Sequence, residues 1–239
     1  MALRTDDIGF GGLRLTQDTD FFCYGTDAVM LADFASSGRF RNVIDLGTNN
    51  GVIPIILSSL SEAEELVGVE LQPEAAVLAE KNVSDNGLAD RIKIVNADVL
   101  DLPGMLPKAS FEAVTMNPPY FPMGGGLLTE EQLKRTARHE VTASLSDFVK
   151  CAAYLLADRG ALYMIHRPSR LADIFSACLS EKLEPKRMRM IVPHAGDQPN
   201  LVLLECRKRG GRELKILPEL AVYKADGTYT DEVKSIYRK

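Results

Sequence analysis

From residue 42 onward, short runs rich in aliphatic and β-branched residues alternate with helical segments. Strands that alternate with helices predict βαβ units, and such units build a parallel sheet with helices on both faces. The strands are predicted at 42–46, 66–70, 92–96, 111–116 and 161–165. The helices are predicted at about 52–61, 73–86, 146–157 and 168–183. The chain is therefore expected to be an α/β protein with a doubly wound sheet.

Two further β-rich runs, 188–192 and 201–206, lie on either side of the turn-forming stretch 194–200. They predict an antiparallel pair at one edge of the sheet. The full sheet would then have seven strands, mostly parallel, with an antiparallel edge strand. Residues 9–24 predict a small N-terminal hairpin, and Thr26-Asp27 predicts the cap of the helix that follows.

Length and composition fit one globular domain, since the chain has 239 residues, of which 46% are hydrophobic and 26% charged. We expect a hairpin extension at 1–25, a core at 26–206 and a C-terminal extension at 207–239. No apolar run approaches the ~20 residues of a membrane span, and residues 1–10 lack the apolar core of a signal peptide. The cysteines show neither metal nor redox spacing. A cytoplasmic protein with reduced thiols and no metal is expected.

The net charge of −5 hides an uneven distribution of charged residues. Residues 1–120 carry 8 Lys and Arg against 18 Asp and Glu, whereas residues 121–239 carry 20 against 15. The basic excess is sharpest at 182–215. A local basic face can hold phosphate groups although the whole chain is acidic. An ordinary solvated surface is the alternative.

Asn117-Pro118-Pro119-Tyr120 follows the predicted strand 111–116. Two consecutive prolines fix the backbone and remove two N–H donors, so the segment is stiff and extended. The Asn117 side-chain oxygen and the Pro118 carbonyl can each accept one N–H of a planar amino group, and Tyr120 can stack on the same flat system. A rigid turn with a core tyrosine is the alternative interpretation of this tetrapeptide.

A second group of polar and glycine residues also follows the ends of predicted strands. Asp45-Leu-Gly-Thr-Asn-Asn-Gly51 opens a helix, and its glycines allow a ligand to approach the backbone closely. Glu70 ends the next strand, where an acid can accept both hydroxyls of a ribose, and Asp98 follows the third strand, where it can bind an adenine amino group. Asn117 ends the fourth strand. These strand ends meet at the topological switch point of a doubly wound sheet.

This order of motifs resembles the class I S-adenosylmethionine-dependent methyltransferases, a Rossmann-like fold, over about residues 20–206. The resemblance implies S-adenosylmethionine as cofactor and Asn117, Pro118, Pro119 and Tyr120 as catalytic residues. Where the family usually has a central glycine, this chain has Asn49, and asparagine tolerates a left-handed backbone. The implied cofactor-binding residues are Tyr24, Thr26, Asp45, Gly47, Asn49, Gly51, Glu70, Leu71, Asp98, Val99 and Asn117.

A closer resemblance covers nearly the whole chain. The stretches 22–27, 117–121, 138–140, 166–168 and 184–187 are similar to the bacterial tRNA(Val) adenine N6-methyltransferase family. The resemblance implies methylation of the exocyclic amino group of an adenine in tRNA. The basic residues that we expect to contact RNA phosphates are Lys134, Arg135, Arg138, Lys186, Arg187 and Arg189.

Three other functions remain open at this point. A protein glutamine N-methyltransferase would use the same pocket for a planar amide, although the first cofactor motif at residue 45 leaves little room for the N-terminal helical domain that is usual in such enzymes. A ribosomal RNA guanine N2-methyltransferase also fits the tetrapeptide. The third is a non-catalytic RNA-binding protein that retains the cofactor fold. A nicotinamide dehydrogenase is disfavoured, because the glycine spacing differs from its fingerprint.

A run of three glycines and two histidines also lie near the predicted site. Gly124-Gly-Gly126, soon after the proline motif, predicts a mobile flap over the site, and a disordered loop is equally compatible with it. His139 and His166 lack the neighbours of a metal site, so we expect structural roles for both.

Overall fold

The computed structural model describes residues 2–19, 23–118 and 143–237. The strands are β1 Leu3–Asp7, β2 Arg14–Asp18, β3 Asn42–Leu46, β4 Glu65–Glu70, β5 Ile92–Asn96, β6 Phe111–Met116, β7 Leu156–His166, β8 Leu183–Val192, β9 Leu201–Lys208 and β10 Lys215–Ala221. The helices are α1 Thr26–Ser36, α2 Val52–Leu60, α3 Pro73–Asp85, α4 Leu102–Met105, α5 Leu145–Leu155, α6 Leu171–Ser180 and α7 Asp231–Ile236. A 3₁₀ turn at Pro168–Arg170 precedes α6.

The main sheet has the strand order β10-β8-β9-β7-β6-β3-β4-β5. Only β9 runs antiparallel to its neighbours, β7 and β8, in this sheet. The doubly wound, mostly parallel sheet is confirmed, but it has eight strands rather than seven. The antiparallel strand lies inside the sheet, because β8 and then β10 continue beyond it.

The additional edge strand β10 belongs to the expected C-terminal extension. Its sequence, KILPELA, contains Pro218, and its register against β8 shifts between Leu217 and Leu220. Proline is tolerated in a strand where its missing N–H faces outward, at an edge. An edge strand interrupted in this way has no clear period, which explains why the sequence pattern did not predict it.

Buried side chains cover both faces of the main sheet. One cluster joins α1, α2, α7 and the hairpin to one face, and the other joins α4, α5 and α6 to the opposite face. Successive strand residues alternate between them, so Val43 packs in the first cluster and Ile44 in the second. The apolar character of these strands follows from burial on both sides. No helix in the described parts of the chain has the length and apolarity needed to span a membrane.

The N-terminal hairpin is confirmed, but it begins earlier than predicted. Its strands β1 and β2 pair antiparallel from Leu3 to Asp18. Four of the five β1 residues are exposed, so this strand has no apolar alternation that a sequence pattern could detect.

The hairpin is held to α3 by two asparagine side chains. Asn82 Oδ1 accepts the backbone N–H of Thr16 at 2.8 Å, and Asn82 Nδ2 donates to the Thr16 carbonyl at 2.9 Å. Asn86 makes the equivalent pair with Arg14, at 2.9 and 2.7 Å. Asn82 Nδ2 also donates to the Asn50 carbonyl at 2.9 Å. One buried amide therefore links the hairpin to the loop after β3.

The start of α1 differs from its expectation. The N-cap is Gly25 in an extended conformation, and no side chain caps the helix through a hydrogen bond. Thr26 and Asp27 are instead the first residues of α1. The Asp27 carboxylate accepts the backbone N–H of Ala28 at 2.9 Å and reaches across to the end of β6. The predicted cap was wrong because the helix begins one residue earlier, so that Gly25, which has no side chain, occupies the N-cap position.

Candidate active site

The loop after β3 turns over the end of β4. The backbone N–H groups of Gly47 and Thr48 donate to the Val69 carbonyl at 2.9 and 2.8 Å. Gly47 and Gly51 have φ of 77° and 82°, a conformation that glycine adopts without strain. Gly51 is also the N-cap of α2, which carries no acid in its first turn. The N–H groups at the start of α2 therefore lie beside the loop and favour a negative group there.

Asn49 adopts the left-handed conformation that we expected of it, with a φ of 51°. Its backbone N–H donates to Glu70 Oε2 at 2.8 Å. Asparagine tolerates this region better than most residues because its short polar side chain bonds locally. The loop therefore forms although the usual central glycine is absent.

Glu70 sits at the end of β4 and is 9% exposed. Besides the Asn49 N–H, its carboxylate accepts the backbone N–H of Gln72 at Oε1, at 3.0 Å. The amide of Asn96 donates to the carbonyls of Glu70 and Leu71 at 2.8 and 3.0 Å. These bonds fix the orientation of the acid. Because each carboxylate oxygen can accept more than one hydrogen bond, the same group can also accept two neighbouring hydroxyls.

Asp45 lies in β3, one residue before its end, and is 1% exposed. The hydroxyl of Thr115 in β6 donates to Asp45 Oδ1 at 2.7 Å. Burial raises the pKa of the Asp45 carboxyl to about 6, although the hydrogen bond from Thr115 opposes the shift. Asp45 Oδ2 has no hydrogen-bond partner within the described chain. The Thr48 side chain also lies close enough to favour the ionised carboxylate, so Asp45 interacts with the loop that follows it.

The pKa of Asp45 predicts a pH dependence of stability. The pKa of Asp45 in the folded state, about 6, exceeds the ordinary value of 3.8, so the ionised carboxyl destabilises the fold above pH 6. As the pH falls below 6, protonation of Asp45 removes this destabilisation. Relative to Asp45→Asn, the free energy of unfolding of the wild type should rise by about 2 to 3 kcal/mol from pH 7 to pH 4. Urea denaturation of both proteins across this range measures the difference. Parallel curves would contradict the assignment.

The ends of β4 and β5 present apolar surface beside acids. The side chain of Leu71 is 40% exposed and that of Leu100 is 49% exposed. Asp98 lies between them along the chain, and its Oδ1 accepts the backbone N–H of Leu100 at 2.9 Å. Val99 is only 6% exposed, so its side chain belongs to the core. Leu100 was missed by sequence reasoning, because exposure alone distinguishes it from the many other leucines.

The proline motif begins at the end of β6. Asn117 is half-buried and Pro118 is buried, while Pro119 and Tyr120 lie outside the described residues. Asn117 Nδ2 donates to Asp27 Oδ2 at 3.0 Å. A carboxylate only accepts hydrogen bonds, so the NH₂ side of the Asn117 amide faces Asp27 and Oδ1 points away from it.

The contact between Asn117 and Asp27 also places the start of α1. Thr26 directly precedes Asp27 at the start of α1, whereas the Tyr24 side chain lies near Asp6 of the hairpin and Tyr229, and it packs against the first buried cluster. The Tyr24 backbone N–H donates to Gln17 Oε1 of β2 at 3.0 Å, which ties this segment to the hairpin. Asp27 itself was missed by sequence reasoning, which assigned it to a helix cap. A long-range pair separated by 90 residues carries no local signal.

His166 ends β7, next to β6 in the sheet, and is 2% exposed. Its Nδ1 accepts the backbone N–H of Arg167 at 2.8 Å. Burial lowers the pKa of the imidazole to about 4, so the ring is neutral near pH 7. This environment fits the structural role that we expected. His139 lies outside the described residues.

The expected RNA-binding residues divide into two groups. Lys134, Arg135 and Arg138 lie outside the described residues, as does the expected flap at 121–145 apart from its last three residues. The other three lie on β8, three strands away from β6. At 4.8 Å per strand this is a separation of roughly 14 Å from the end of β6.

All three described basic residues have partners within the fold. Lys186 Nζ donates to the Gly211 carbonyl at 2.9 Å. Arg187 pairs with the Glu205 carboxylate and donates to Ser37 Oγ at 2.7 Å. Arg189 donates to the Pro218 carbonyl at 2.8 Å and pairs with Glu232 at 2.7 Å. Arg189 therefore ties β8 to β10 and to α7, and its charge is balanced internally.

The doubly wound sheet, the glycine loop after β3, the acid that ends β4 and the asparagine that ends β6 are arranged as in the class I methyltransferases, which use S-adenosylmethionine. The family model named "Methyltransferase small domain" matches residues 22–182. The chain belongs to this family.

Curated relatives extend the likeness over most of the chain. A protein of Mannheimia succiniciproducens is 33% identical over 69% of this chain and 68% of its own length. A protein of Histophilus somni is 27% identical over 98% of this chain and 96% of its own length. Both are named tRNA1(Val) (adenine(37)-N6)-methyltransferase.

Solved structures share the fold. A predicted O-methyltransferase of Agrobacterium tumefaciens superposes with a TM-score of 0.72 at 25% identity, covering 89% of this chain and 96% of that one. TrmN from Thermus thermophilus superposes with a TM-score of 0.55 at 22% identity, covering 76% of this chain and 48% of that one.

Proposed function

We propose that this chain transfers the methyl group of S-adenosylmethionine to the exocyclic amino group of an adenine in tRNA. The observation that carries the proposal is the Asn117 amide at the end of β6, held by Asp27 beside the cofactor loop. The names of the relatives support tRNA as the substrate and the N6 amino group as the acceptor. A tRNA substrate in turn supports a cytoplasmic location.

The residues at the strand ends fit the cofactor. The Glu70 carboxylate would accept the ribose hydroxyls, while Asp98 and the exposed side chains of Leu71 and Leu100 would receive the adenine ring. The loop from Gly47 to Gly51 and the first N–H groups of α2 would receive the amino-acid part. When bound, S-adenosylmethionine supplies a methyl group activated by its sulfonium.

The chain's own contribution to the reaction is to prepare the amino nitrogen. The 6-amino group of adenine is a poor nucleophile because its lone pair is delocalised into the ring. If Asn117 Oδ1 and the Pro118 carbonyl each accept one of its hydrogens, the nitrogen moves toward a tetrahedral geometry and the lone pair becomes available. The hydrogen bond from Asn117 to Asp27 keeps the amide oxygen in the accepting position. Preorganised acceptors and alignment, rather than a strong base, would then supply the rate.

The decisive experiment is methyl transfer to several substrates in parallel. Labelled S-adenosylmethionine would be incubated with the protein and unmodified tRNA, ribosomal RNA or a release factor, and RNA nucleosides would be identified by mass spectrometry. We expect N6-methyladenosine in the tRNA fraction. Label in the release factor would instead indicate glutamine methylation, and N2-methylguanosine in ribosomal RNA would indicate the guanine enzyme. Cofactor binding without transfer to any substrate would favour a binding role.

The Glu70 assignment can be tested without turnover. Charge-assisted hydrogen bonds contribute roughly 1.5 to 3 kcal/mol each, so Glu70→Ala should weaken S-adenosylmethionine binding by about tenfold or more. Isothermal titration calorimetry measures the dissociation constant. Glu65→Ala, at the exposed start of the same strand, serves as the control. An unchanged dissociation constant in Glu70→Ala would refute the ribose assignment.

A further inference from the structure

A cavity of about 400 Å³ opens on the α1 face of the sheet. Its walls come from the residues that follow α1 and from strands β7, β8, β9 and β10. Ser37 and Gly38 contribute from the end of α1, whereas Asp27 and the proposed methyl-transfer site lie at its start. Ten residues of helix span roughly 15 Å. The cavity is therefore separate from the site at the carboxyl ends of the strands.

The cavity is electropositive. Four basic side chains and two acidic ones line it, which leaves a net charge of +2. The acid Glu205 is 3% exposed and pairs with both Arg187 and Arg207, in the latter case at 2.6 Å. One buried carboxylate thus holds two guanidinium groups at the wall. Each guanidinium has five N–H donors, and the ion pairs use only part of them.

Two lysines add charge at the rim of the cavity. Lys186 donates one of its three N–H groups to the Gly211 carbonyl. Lys215 begins β10, is exposed, and forms no ion pair within the described chain. Both ammonium groups can therefore still donate to a ligand.

A buried hydroxyl without a partner forms part of the wall. Tyr163, in the middle of β7, is 0% exposed, and its Oη has no hydrogen-bond partner among the described residues. Burial raises the pKa of this phenol to about 12, so it remains protonated and can donate. A buried polar atom without a partner is uncommon in proteins and calls for an explanation. The Arg187 side chain lies beside this hydroxyl, and the phenol oxygen is not exposed to the cavity, so Tyr163 packs in the wall and does not face a ligand.

We propose that this cavity binds an oxyanion of the phosphate class. Guanidinium and ammonium groups donate hydrogen bonds, and the four basic side chains outnumber the two carboxylates, of which Glu205 is already paired with two guanidinium groups. The matching ligand therefore carries negative charge and several acceptor oxygens. A phosphate group could come from the tRNA backbone, which rests on the proposed function, or from a free phosphate compound. In the first case the cavity binds a nucleotide some distance from the methylated adenine.

The first test uses inorganic phosphate and no RNA. At constant ionic strength, phosphate at about ten times its dissociation constant should raise the Tm of the wild type by about 3 °C. The double variant Lys186→Gln/Lys215→Gln removes two cations at the rim of the cavity, so it should fold normally and lose much of this rise. Lys93→Gln, exposed on β5 at the opposite edge of the sheet, is the matched control.

The second test distinguishes the two sources of phosphate. If tRNA supplies the group, the double lysine variant should bind unmodified tRNA about 3- to 10-fold more weakly, and its log affinity should fall less steeply with log salt, by about one unit of slope. If a free compound supplies it, tRNA binding should stay unchanged while the phosphate-dependent rise in Tm is lost. Wild-type methyl transfer to tRNA is measured separately, so failure of the proposed function is recognised independently. The proposal is overturned if the double lysine variant behaves like the Lys93→Gln control in both tests.

Discussion

Replacing Asn117 with alanine is expected to reduce methyl transfer by about 10²- to 10³-fold, the loss typical of removing one preorganised group that acts in the transition state. The reason is that the substitution deletes the acceptor oxygen at the end of β6 and the partner of Asp27 together. The dissociation constant of S-adenosylmethionine should change by less than about fivefold, since a single lost hydrogen bond contributes about 1 kcal/mol or less at a partly exposed site. Single-turnover kinetics and calorimetry measure the two quantities.

A matched control for this variant is Asn200→Ala, which alters an exposed asparagine in the turn after β8. It should retain wild-type turnover. Asn117→Asp is a second informative change, because it keeps an acceptor oxygen but places a carboxylate against Asp27. We expect it to be impaired as well. Normal turnover in Asn117→Ala would show that the amino group is activated elsewhere.

The second large effect is expected at Asp27. Asp27→Ala should lower kcat by about 10- to 100-fold, because an amide released from its partner can rotate and present NH₂ instead of oxygen to the substrate. Asp27→Asn should restore most of the rate, since its side-chain oxygen can still accept from Asn117 Nδ2. The KM for tRNA should change little in either variant. Steady-state kinetics with saturating cofactor separates kcat from KM.

A merely structural role for Asp27 makes a different prediction. If the residue served only to stabilise α1, both Asp27 variants would lower Tm, and the rate would follow the fraction of folded protein. Asp33→Ala, on the same helix, measures how far a lost acid alone affects folding. Equal kcat values in Asp27→Ala and Asp27→Asn would exclude the positioning role.

Most of the fold could be predicted from local patterns. Strands β3, β4 and β6 are short, apolar and separated by helices, because both of their faces are largely buried in a parallel sheet. Strand β7 is longer than predicted, because it begins at Leu156 and not at residue 161. The loop at Gly47 to Gly51 was predicted correctly because positive φ angles restrict the residue types that fit there. Asn49, which replaces the usual central glycine, also has a positive φ, and asparagine is one of the few other residues that tolerate it.

Features set by long-range contacts could not be predicted. Strand β10 is defined by pairing with β8 rather than by its own pattern, and Pro218 obscures it. The role of Asp27 depends on a partner on another strand, and the exposure of Leu100 depends on the packing around it.

The partners of charged side chains are also set by long-range contacts and could not be predicted. Lys186, Arg187 and Arg189 were grouped by sequence as one basic face, yet Arg189 binds β10 and α7 while the other two line the cavity. Composition counts charges but cannot show which of them are already neutralised by a neighbour. Their contribution to RNA binding stays a prediction, and the double lysine variant described above tests that of Lys186.

The two asparagines that hold the hairpin also affect the tendency of the protein to aggregate at high concentration. A hairpin on the surface normally offers an unpaired backbone edge to which another chain can add, and such addition is a route to aggregation. Here Asn82 and Asn86 occupy the N–H and carbonyl groups of Thr16 and Arg14, so a helix completes the edge of β2 in place of a strand. The opposite edge belongs to β1, where Arg4 and Asp6 are charged. Self-association through the hairpin is thereby disfavoured at both edges.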